Sequence, residues 1–376
     1  MRILHGMSDV CGQGSFSANG LNKLGQKAQT VIRTPDDFGC KYDISLNISS
    51  KKSLMLWDLI KMLGFSAYAF FKYNVYHFHF THSLFPHCFD MKILRLFGKK
   101  VFMEYHGSDI RWTYNREIPK YWPFEDLPEK SDMIKKLNKR VSENVDGIIL
   151  HDNELRKHLY NPNQDVYIIP LRADIQRFTP SYPDVNCKKP VIVHAPSNPI
   201  IKGTQYILEA IEHLKEKYDF DFILVEGMKQ EEAFEVYKKA DIIIDQLIIG
   251  TYGVFAIEAM SMGKPVITYL SDDMVDQFPT DLPIENANIE NIESVIEGLL
   301  LNPEKRHDLG ARGRKYAEDY HDYNVIAKAQ LMLYEGKYPP MSQRDSFAFI
   351  KSLKEGNCDW KRIIPSWFNL LKAVQY

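Results

Sequence analysis

A glycine-containing loop followed by a carboxylate is the part of this sequence that most directly suggests chemistry. Residues 250–255 (Gly-Thr-Tyr-Gly-Val-Phe) follow a strand-like apolar run and lead into a helix-like segment that contains Glu258. The first N–H groups of a helix can hold phosphate oxygens, so a phosphate is expected beside Tyr252, Gly253, Val254 and Phe255. A carboxylate in an otherwise apolar helix needs hydrogen-bond donors, and vicinal ribose hydroxyls would supply them. The alternative is a partly exposed or internally bonded Glu258.

A second candidate phosphate contact is the pair Lys202-Gly203, which follows a strand-like segment and opens a helix-like one. A lysine beside a helix N-terminus suits a diphosphate, because its point charge adds to the helix dipole. The alternative is a solvated lysine before a helix.

The first half of the chain offers two further loops. Gly12 and Gly14 lie between the first strand-like segment and a helix, where the backbone could approach a ligand closely and free N–H groups would be available. A tight strand-to-helix turn explains them equally well. His106 directly follows a strong strand-like segment, and ligands of open parallel sheets bind at the carboxyl ends of the strands.

Histidines also cluster before that loop, at His77, His79 and His82. His77 and His79 alternate along a strand and therefore share one face of it. No carboxylate or thiolate stands at a matching spacing, so packing is favoured over a metal site, and no metal is expected.

Strand-like and helix-like segments alternate along the whole chain, which predicts an α/β protein with parallel sheets. The predicted strands of the first series are residues 2–7, 29–33, 75–80, 100–106, 145–151 and 166–170. Those of the second series are residues 190–195, 220–226, 240–246 and 265–270. A polar, proline-containing segment at 180–189 separates the two series and is interpreted as a linker. Two such units in tandem would form a cleft between them.

The composition excludes several functional classes. The chain has 376 residues, of which 45% are hydrophobic and 26% charged, with a net charge of −2, which gives no bulk electrostatic attraction to nucleic acid. Its cysteines are scattered without a CxxC pair, which suits free thiols in a reducing compartment and offers no zinc site: Cys11, Cys40, Cys88, Cys187 and Cys358.

Targeting segments are not evident in the sequence. The N-terminus lacks the apolar core of a signal peptide. Residues 53–73 are strongly apolar, but Asp58, Lys61 and Lys72 interrupt them, so they fall short of a membrane span. A cytoplasmic protein is therefore expected.

Taken together, these motifs resemble those of the GT-B glycosyltransferases of the family 4 (glycosyl transferases group 1) type. The similarity is carried by Glu258 with residues 259–267 (Ala-Met-Ser-Met-Gly-Lys-Pro-Val-Ile), by Gly253, by the loop 106–109 (His-Gly-Ser-Asp) and by Lys202-Gly203, in the family's order over residues 1–335. The resemblance implies two Rossmann-like domains whose sheets face each other across a cleft. The expected divisions are 1–180 (acceptor side), 181–322 (nucleotide-sugar side), 323–340 (a helix returning to the first domain) and an aromatic and basic tail at 341–376.

Two positions depart from the family pattern. The family carries two glutamates in an E-x7-E arrangement; the second matches Glu258, but the first falls on Gly250, which leaves recognition of the donor sugar open. The family's arginine five residues before the lysine falls on Ser197, which therefore stands in the phosphate site. Asn198 and Arg172 are the candidates to compensate for it.

The resemblance implies a retaining, metal-independent glycosyltransferase with no permanently bound cofactor. Its donor would be a nucleotide-diphosphate sugar, with a UDP-sugar favoured, and its acceptor a glycan or a lipid-linked molecule, in surface polysaccharide or glycolipid biosynthesis. Lys202 and the amides near Gly253 would stabilise the leaving group, Glu258 would hold the ribose and His106 would contact the sugar. Residues 53–73 and the tail offer a peripheral contact with the inner face of the membrane, although burial explains them too.

Two other functions remain open from the sequence. Gly250 and Ser197 are compatible with a catalytically weak, glycosyltransferase-like scaffold. A nucleotide-sugar epimerase would need acid and base carboxylates, for which Glu104 and Asp109 are available.

Overall fold

The structure is a computed structural model, and it describes residues 1–35, 41–49, 51–111, 120–123 and 128–356. Within these residues the strands are β1 Arg2–Met7, β2 Lys27–Ile32, β3 Ile44–Ser45, β4 Val75–His79, β5 Lys100–Glu104, β6 Gly147–Leu150, β7 Val166–Ile168, β8 Val191–His194, β9 Asp221–Leu224, β10 Ile242–Ile244, β11 Val266–Thr268 and β12 Ile284–Asn286.

The α-helices of the same residues are α1 Gln13–Lys23, α2 Met55–Lys72, α3 Asp90–Leu96, α4 Pro128–Asn144, α5 Pro199–Lys202, α6 Thr204–Lys215, α7 Gln230–Lys239, α8 Val254–Ser261, α9 Asp272–Val275, α10 Ile292–Leu300, α11 Pro303–Tyr320, α12 Tyr323–Tyr334 and α13 Gln343–Glu355. Among them, α1–α9 lie between strands and α10–α13 follow the last strand.

The strands form two sheets, and every pairing in them is parallel. One sheet has the order β3-β2-β1-β4-β5-β6-β7 and the other the order β12-β11-β10-β8-β9. The predicted α/β class with two parallel sheets is confirmed. Among the described residues, the first compact unit contains 1–111, 128–172 and 323–356, and the second contains 120–123 and 173–322.

In the first unit, alternating strand residues feed two cores on opposite faces of the sheet, because successive side chains of a strand point to opposite sides. Leu4 and Met103 belong to the core that also receives Ala69 of α2, Leu94 of α3 and Val141 of α4. The neighbouring strand residues Ile3 and Phe102 belong to the other core, which receives side chains of α1, α12 and α13. The helices therefore form two layers, α2–α3–α4 and α1–α12–α13.

The second unit buries its sheet against helices in the same manner. Ile192 of β8 and Ile242 of β10 pack in one core with Ile207 of α6, Ile296 of α10 and Leu309 of α11. Continuous apolar runs such as the three isoleucines of β10 are typical of strands that are buried on both faces.

Several elements differ from the sequence-based expectations. The edge strands β3 and β12 were not predicted, because their residues are only partly buried and form no continuous apolar run. In the expected aromatic tail, α13 buries Phe347 and Phe349, so these rings are core residues and do not form an exposed surface. Residues 357–376, with Trp360, Trp367 and Phe368, lie outside the described residues. No described helix has the length and hydropathy needed to cross a bilayer.

Candidate functional site

The N-terminus of α8 keeps free hydrogen-bond donors, as the sequence predicts for a phosphate site. Gly253 caps the helix without a side-chain hydrogen bond. The amide N–H groups of Val254 and Phe255 have no acceptor in the part of the chain that the structure describes. Together with the positive end of the helix dipole, they form a place where an anion would be stabilised.

Lys202 lies beside this helix end, where its ammonium group is already paired with a carboxylate of the protein. Its ammonium group forms an ion pair with Asp245, a fully buried residue that follows β10. The other carboxylate oxygen of Asp245 accepts a weak hydrogen bond of 3.4 Å from the Gly253 amide. Asp245 therefore links the lysine to the first turn of α8 and neutralises part of its charge.

Glu258 projects from α8 about one turn after the free amides. It is half-buried, and no described group donates a hydrogen bond to its carboxylate. Burial raises the pKa of Glu258 to about 7, and the nearby Arg177 only partly opposes that shift. A carboxylate with this energetic cost and without a donor would be stabilised by ligand hydroxyls.

The neighbouring positions are fixed by packing. Gly203 has a φ of 74°, and a Cβ atom there would lie 3.1 Å from the Cβ of Leu247, so this turn favours glycine. The buried hydroxyl of Tyr252 lies 3.2 Å from the Tyr316 hydroxyl and 3.1 Å from Nε2 of His321. The Tyr252 side chain thus belongs to an internal network, and a ligand role is left to its backbone.

The glycine loop of the first unit is closed by a carboxylate. Asp9 accepts a 2.7 Å hydrogen bond from the Gly14 amide and further bonds from the amide and hydroxyl of Ser15. The expectation of free N–H groups at the start of α1 is therefore wrong for Gly14 and Ser15. Gly12 has a φ of 77°, and a Cβ there would lie 2.9 Å from the Phe16 ring, which is a structural reason for this glycine.

His106 is half-buried and lies at the end of a buried chain of polar groups. His79 Nδ1 is 3.1 Å from His106 Nε2, and His79 Nε2 is 3.2 Å from His5 Nδ1. The Tyr334 hydroxyl is 3.3 Å from His5 Nε2 and 2.6 Å from His77 Nδ1. His77 Nε2 ends the chain, 3.0 Å from a carboxylate oxygen of Glu104.

Glu104 sets the direction of the hydrogen bonds in this chain. Burial alone would raise its pKa, but the guanidinium of Arg172, at 2.7 and 3.0 Å, holds the pKa of Glu104 well below its usual range. Burial also lowers the pKa values of His5, His77, His79 and His106, the last of them to about 3, so these four rings are neutral.

The negative charge of the Glu104 carboxylate, 3.0 Å away, favours a hydrogen on His77 Nε2, which leaves Nδ1 of His77 as an acceptor for Tyr334. The Tyr334 hydroxyl, which donates to His77, accepts from His5 Nε2, and Nδ1 of His5 then accepts from His79 Nε2. Nδ1 of His79 in turn accepts from His106 Nε2, which therefore carries the hydrogen. Nδ1 of His106 is then an acceptor, suited to a ligand hydroxyl.

The same cluster includes groups that could hold a metal ion. The ligand atoms of His5, His77 and His79 lie within 4.8 Å of one another, as do those of His79, Glu104 and His106. Glu104 pairs with His79 across β4 and β5, and this is the carboxylate that the sequence spacing did not reveal. The hydrogen bonds above already occupy these atoms, and the expectation that no metal binds stays a prediction.

Comparison with known proteins agrees with this arrangement. Residues 221–316 match the family model described as Glycosyl transferases group 1. Sucrose-phosphate synthase from Thermosynechococcus elongatus superposes with a TM-score of 0.64 at 16% identity, covering 89% of this chain and 99% of that one. Anabaena HepE in complex with UDP superposes with a TM-score of 0.62 at 10% identity, covering 89% and 100%. The fold of this chain is that of the GT-B glycosyltransferases, and residues 221–316 are similar to the group 1 family.

A curated protein with a similar sequence is the MMP α-(1→4)-mannosyltransferase of Mycolicibacterium hassiacum, 20% identical over 201 residues. That match covers 46% of this chain and 48% of the relative. The chain thus spans about half the length of this curated relative.

The first departure from the family pattern, at Gly250, has a steric basis. A Cβ atom at Gly250 would lie 2.4 Å from the Cβ of Ser271, and the backbone oxygen of Gly250 accepts hydrogen bonds from the amide and hydroxyl of Ser271 at 3.1 and 3.2 Å. A glutamate cannot replace this glycine without moving the loop. The structure therefore has no room for the first glutamate of the family pair.

The second departure is not compensated as the sequence suggested. Ser197 is exposed, and Asn198 uses its side-chain oxygen to cap α5 at the amides of Ile200 and Ile201. The suggestion that Arg172 replaces the family arginine is wrong, because Arg172 is fully buried and bonded to Glu104 and to the Gln13 carbonyl.

Two residues of the candidate sites were not predicted from the sequence. Asp245 was assigned to a strand, although an aspartate directly after three isoleucines is a polar signal at a strand end. His5 gave no signal of its own, because its partners are brought to it by neighbouring strands of the sheet.

Proposed function

We propose that this chain transfers a sugar from a nucleotide-diphosphate donor to a glycan or lipid-linked acceptor. The observation that carries the proposal is the unsatisfied site on α8: free amides at Val254 and Phe255, one turn before a Glu258 carboxylate that has no donor. A diphosphate would accept from the amides, and ribose hydroxyls would donate to Glu258. The UDP bound by the HepE neighbour supports a UDP-sugar as the first donor to test.

In the proposed reaction, the bond between the sugar C1 and the diphosphate oxygen breaks, and its electron pair stays on the phosphate. The acceptor hydroxyl attacks C1 from the same face, and its proton passes to the departing phosphate oxygen. Lys202 and the amides of α8 stabilise the negative charge that develops there, a contribution of about 2.7–4 kcal/mol for each donor of this kind. His106 offers Nδ1 as an acceptor for a sugar hydroxyl.

A thermal-shift panel of UDP, GDP, ADP and their sugars tests the donor site, because a ligand that binds only the folded protein raises its Tm. UDP and a UDP-sugar are expected to raise the Tm of the wild type and not that of Glu258→Gln. The control Glu235→Gln, on the exposed face of α7, should keep the shift. No shift with any nucleotide, or an equal shift in both variants, would contradict the proposed site.

Retention is the stereochemical part of the proposal. With an α-linked UDP-sugar, NMR of the product should show an α-linkage to the acceptor. A β-linked product would refute same-face attack, and conversion of the donor to its epimer without transfer would favour the epimerase alternative.

We also infer that the enzyme works as a peripheral membrane protein at the inner membrane face, on surface polysaccharide or glycolipid. The support is the outer surface of α2, which is apolar although it is exposed. Transfer to a lipid-linked acceptor in vesicles should exceed transfer to the same acceptor without its lipid.

A further inference from the structure

Helix α2 is apolar on its outer side as well as on its inner side. Its fully buried residues are Asp58, Met62 and Ala69. Large apolar side chains that are 45–77% exposed occur along the length of the helix: Met55, Leu56, Trp57, Leu59, Ile60, Leu63, Tyr68 and Phe71. A helix on a water-facing surface normally carries polar residues there.

The apolar surface continues onto the neighbouring helix α3. Phe70 of α2 and Phe97 at the end of α3 pack with ring centroids 5.1 Å apart. Ile93 and Leu96 of α3 are 54% and 74% exposed. Both helices cover the same core face of the sheet, so their outer sides belong to one surface of the α2–α3–α4 layer.

Basic residues follow this apolar region on the same layer. Lys92 of α3 and Lys136, Lys139 and Arg140 of α4 line a cavity of about 400 Å³, with Phe89 at its edge. The guanidinium of Arg140 lies 4.0 Å from the centre of the Phe89 ring, which joins the basic region to the apolar one.

Most of this positive charge is not neutralised. Glu143 is the acidic residue of the cavity lining, and it lies 3.9 Å from Lys139. Lys92 and Lys136 form no ion pair with any described residue. An anionic group could therefore enter the cavity and meet two lysines that have no competing carboxylate.

The opposite layer of the same unit provides an internal comparison. Helices α1, α12 and α13 have no exposed large hydrophobic residue along their described lengths. The apolar and basic outer surface is thus a property of one layer and does not reflect the general composition of the unit.

We propose that the α2–α3–α4 layer docks on an anionic lipid bilayer. Helix α2 lies in the interface with Leu56, Trp57 and Phe71 among the acyl chains, and the basic cavity takes lipid phosphate headgroups. A second copy of the chain is a poorer occupant, because an isologous contact would bring together two linings that each carry four basic residues and a single carboxylate, Glu143. The inference deepens the proposed peripheral location and rests on it for the choice of membrane.

Vesicle sedimentation of the full chain tests the docking. We expect binding to vesicles of phosphatidylcholine mixed with phosphatidylglycerol, weak binding to phosphatidylcholine alone, and a loss at high salt, where charges are screened. Equal binding to both vesicle types, or no binding to either, would overturn the proposal. Light scattering tests whether a second copy of the chain binds there instead. A wild-type dimer that does not bind vesicles and that Leu56→Ser/Phe71→Ser dissociates would identify the layer as a self-association surface.

Paired variants separate the two components of the surface. Lys92→Gln/Lys136→Gln should lower binding to anionic vesicles roughly 25-fold, at about fivefold for each lysine. The control Lys229→Gln/Lys239→Gln removes the same charge from exposed, unpaired lysines of the second unit and should bind like the wild type. Equal losses in both pairs would contradict a specific surface.

The docking proposal and the proposed function can fail separately. Leu56→Ser/Phe71→Ser should abolish vesicle binding and keep the Tm shift caused by UDP. Glu258→Gln should do the reverse. Failure of the first result alone removes the docking surface, and failure of the second alone removes the donor site.

Discussion

The two units each begin a helix with a glycine loop and place an aspartate beside it, but they use the aspartate differently. In the first unit, Asp9 accepts from the Gly14 amide at 2.7 Å and from Ser15, which satisfies the start of α1. In the second unit, Asp245 is shared with Lys202 and makes only a 3.4 Å contact with Gly253. The same residue types therefore close one helix end and leave donors free at the other.

This difference indicates where an anion would bind. A helix N-terminus attracts negative charge, and an internal carboxylate that already occupies it competes with any ligand. The start of α8 keeps two free amides and the unsatisfied Glu258, and Lys202 of α5 lies beside it. Substitutions at the two helix ends should therefore have different effects on UDP binding.

Lys202→Ala should have the largest effect. Loss of a cation at the leaving group is expected to lower kcat roughly 100- to 1000-fold and to abolish the UDP-induced Tm shift. Steady-state transfer with a UDP-sugar measures the first effect. Lys239→Ala removes an exposed lysine of the same unit and should behave as the wild type. Comparable activity in both variants would mean that Lys202 does not contact the leaving group.

Gly250→Glu introduces the residue of the family pattern and should destabilise the folded protein. The new Cβ would meet Ser271 at 2.4 Å, so the free energy of unfolding should fall by about 1–3 kcal/mol. Denaturant unfolding measures this loss. The double variant Gly250→Glu/Ser271→Gly relieves the contact and should recover part of it. An unchanged stability in the single variant would show that the loop adapts freely.

The two aspartates can be compared directly with matched substitutions. Asp9→Asn should cost about 1 kcal/mol of stability, because it weakens the cap of α1, and should leave UDP affinity unchanged. Asp245→Asn should raise UDP affinity roughly fivefold, or about 1 kcal/mol, because Lys202 loses its competing charge. Calorimetric titration distinguishes the two. Weaker UDP binding by Asp245→Asn would mean that Asp245 orients Lys202 instead of competing for it.

The raised pKa of Glu258 predicts a pH dependence of stability. Its folded pKa of about 7 exceeds the usual value of 4.5, so ionisation costs the folded state more than the unfolded state. The stability contribution is complete below pH 4.5 and is lost as the pH rises to 7. Glu258→Gln removes this loss, so its Tm advantage over the wild type should grow between pH 4.5 and 7 and then level off. A constant difference would refute the raised pKa.

The smallest effect is spectroscopic. The hydrogen-bond chain from Glu104 predicts that His106 is neutral with its hydrogen on Nε2 at pH 6. Nitrogen-15 chemical shifts of the wild type should report that tautomer, and the signal should not titrate between pH 5 and 8. A titrating His106, or a hydrogen on Nδ1, would show that the chain runs in the other direction.

Much of this molecule could be predicted from local sequence, because its signals are local. The parallel strands, the helix that carries Glu258 and the Lys202-Gly203 turn all follow from periodicity and glycine placement over a few residues. The exposed face of α2 could not be predicted, since an apolar helix has the same sequence whether its outer side meets protein, lipid or water. The pKa of Glu258 likewise depends on burial, which no spacing encodes.

The α/β class, the two series of strands and the family motifs around Glu258 are encoded in short stretches of the chain. Three contacts arise only when the chain folds: Asp245 reaches Lys202, Ser271 leaves no space for a side chain at Gly250, and Arg172 binds Glu104. The reason is geometric: a parallel sheet gathers the carboxyl ends of strands that are far apart in the chain, and which side chains meet there depends on packing.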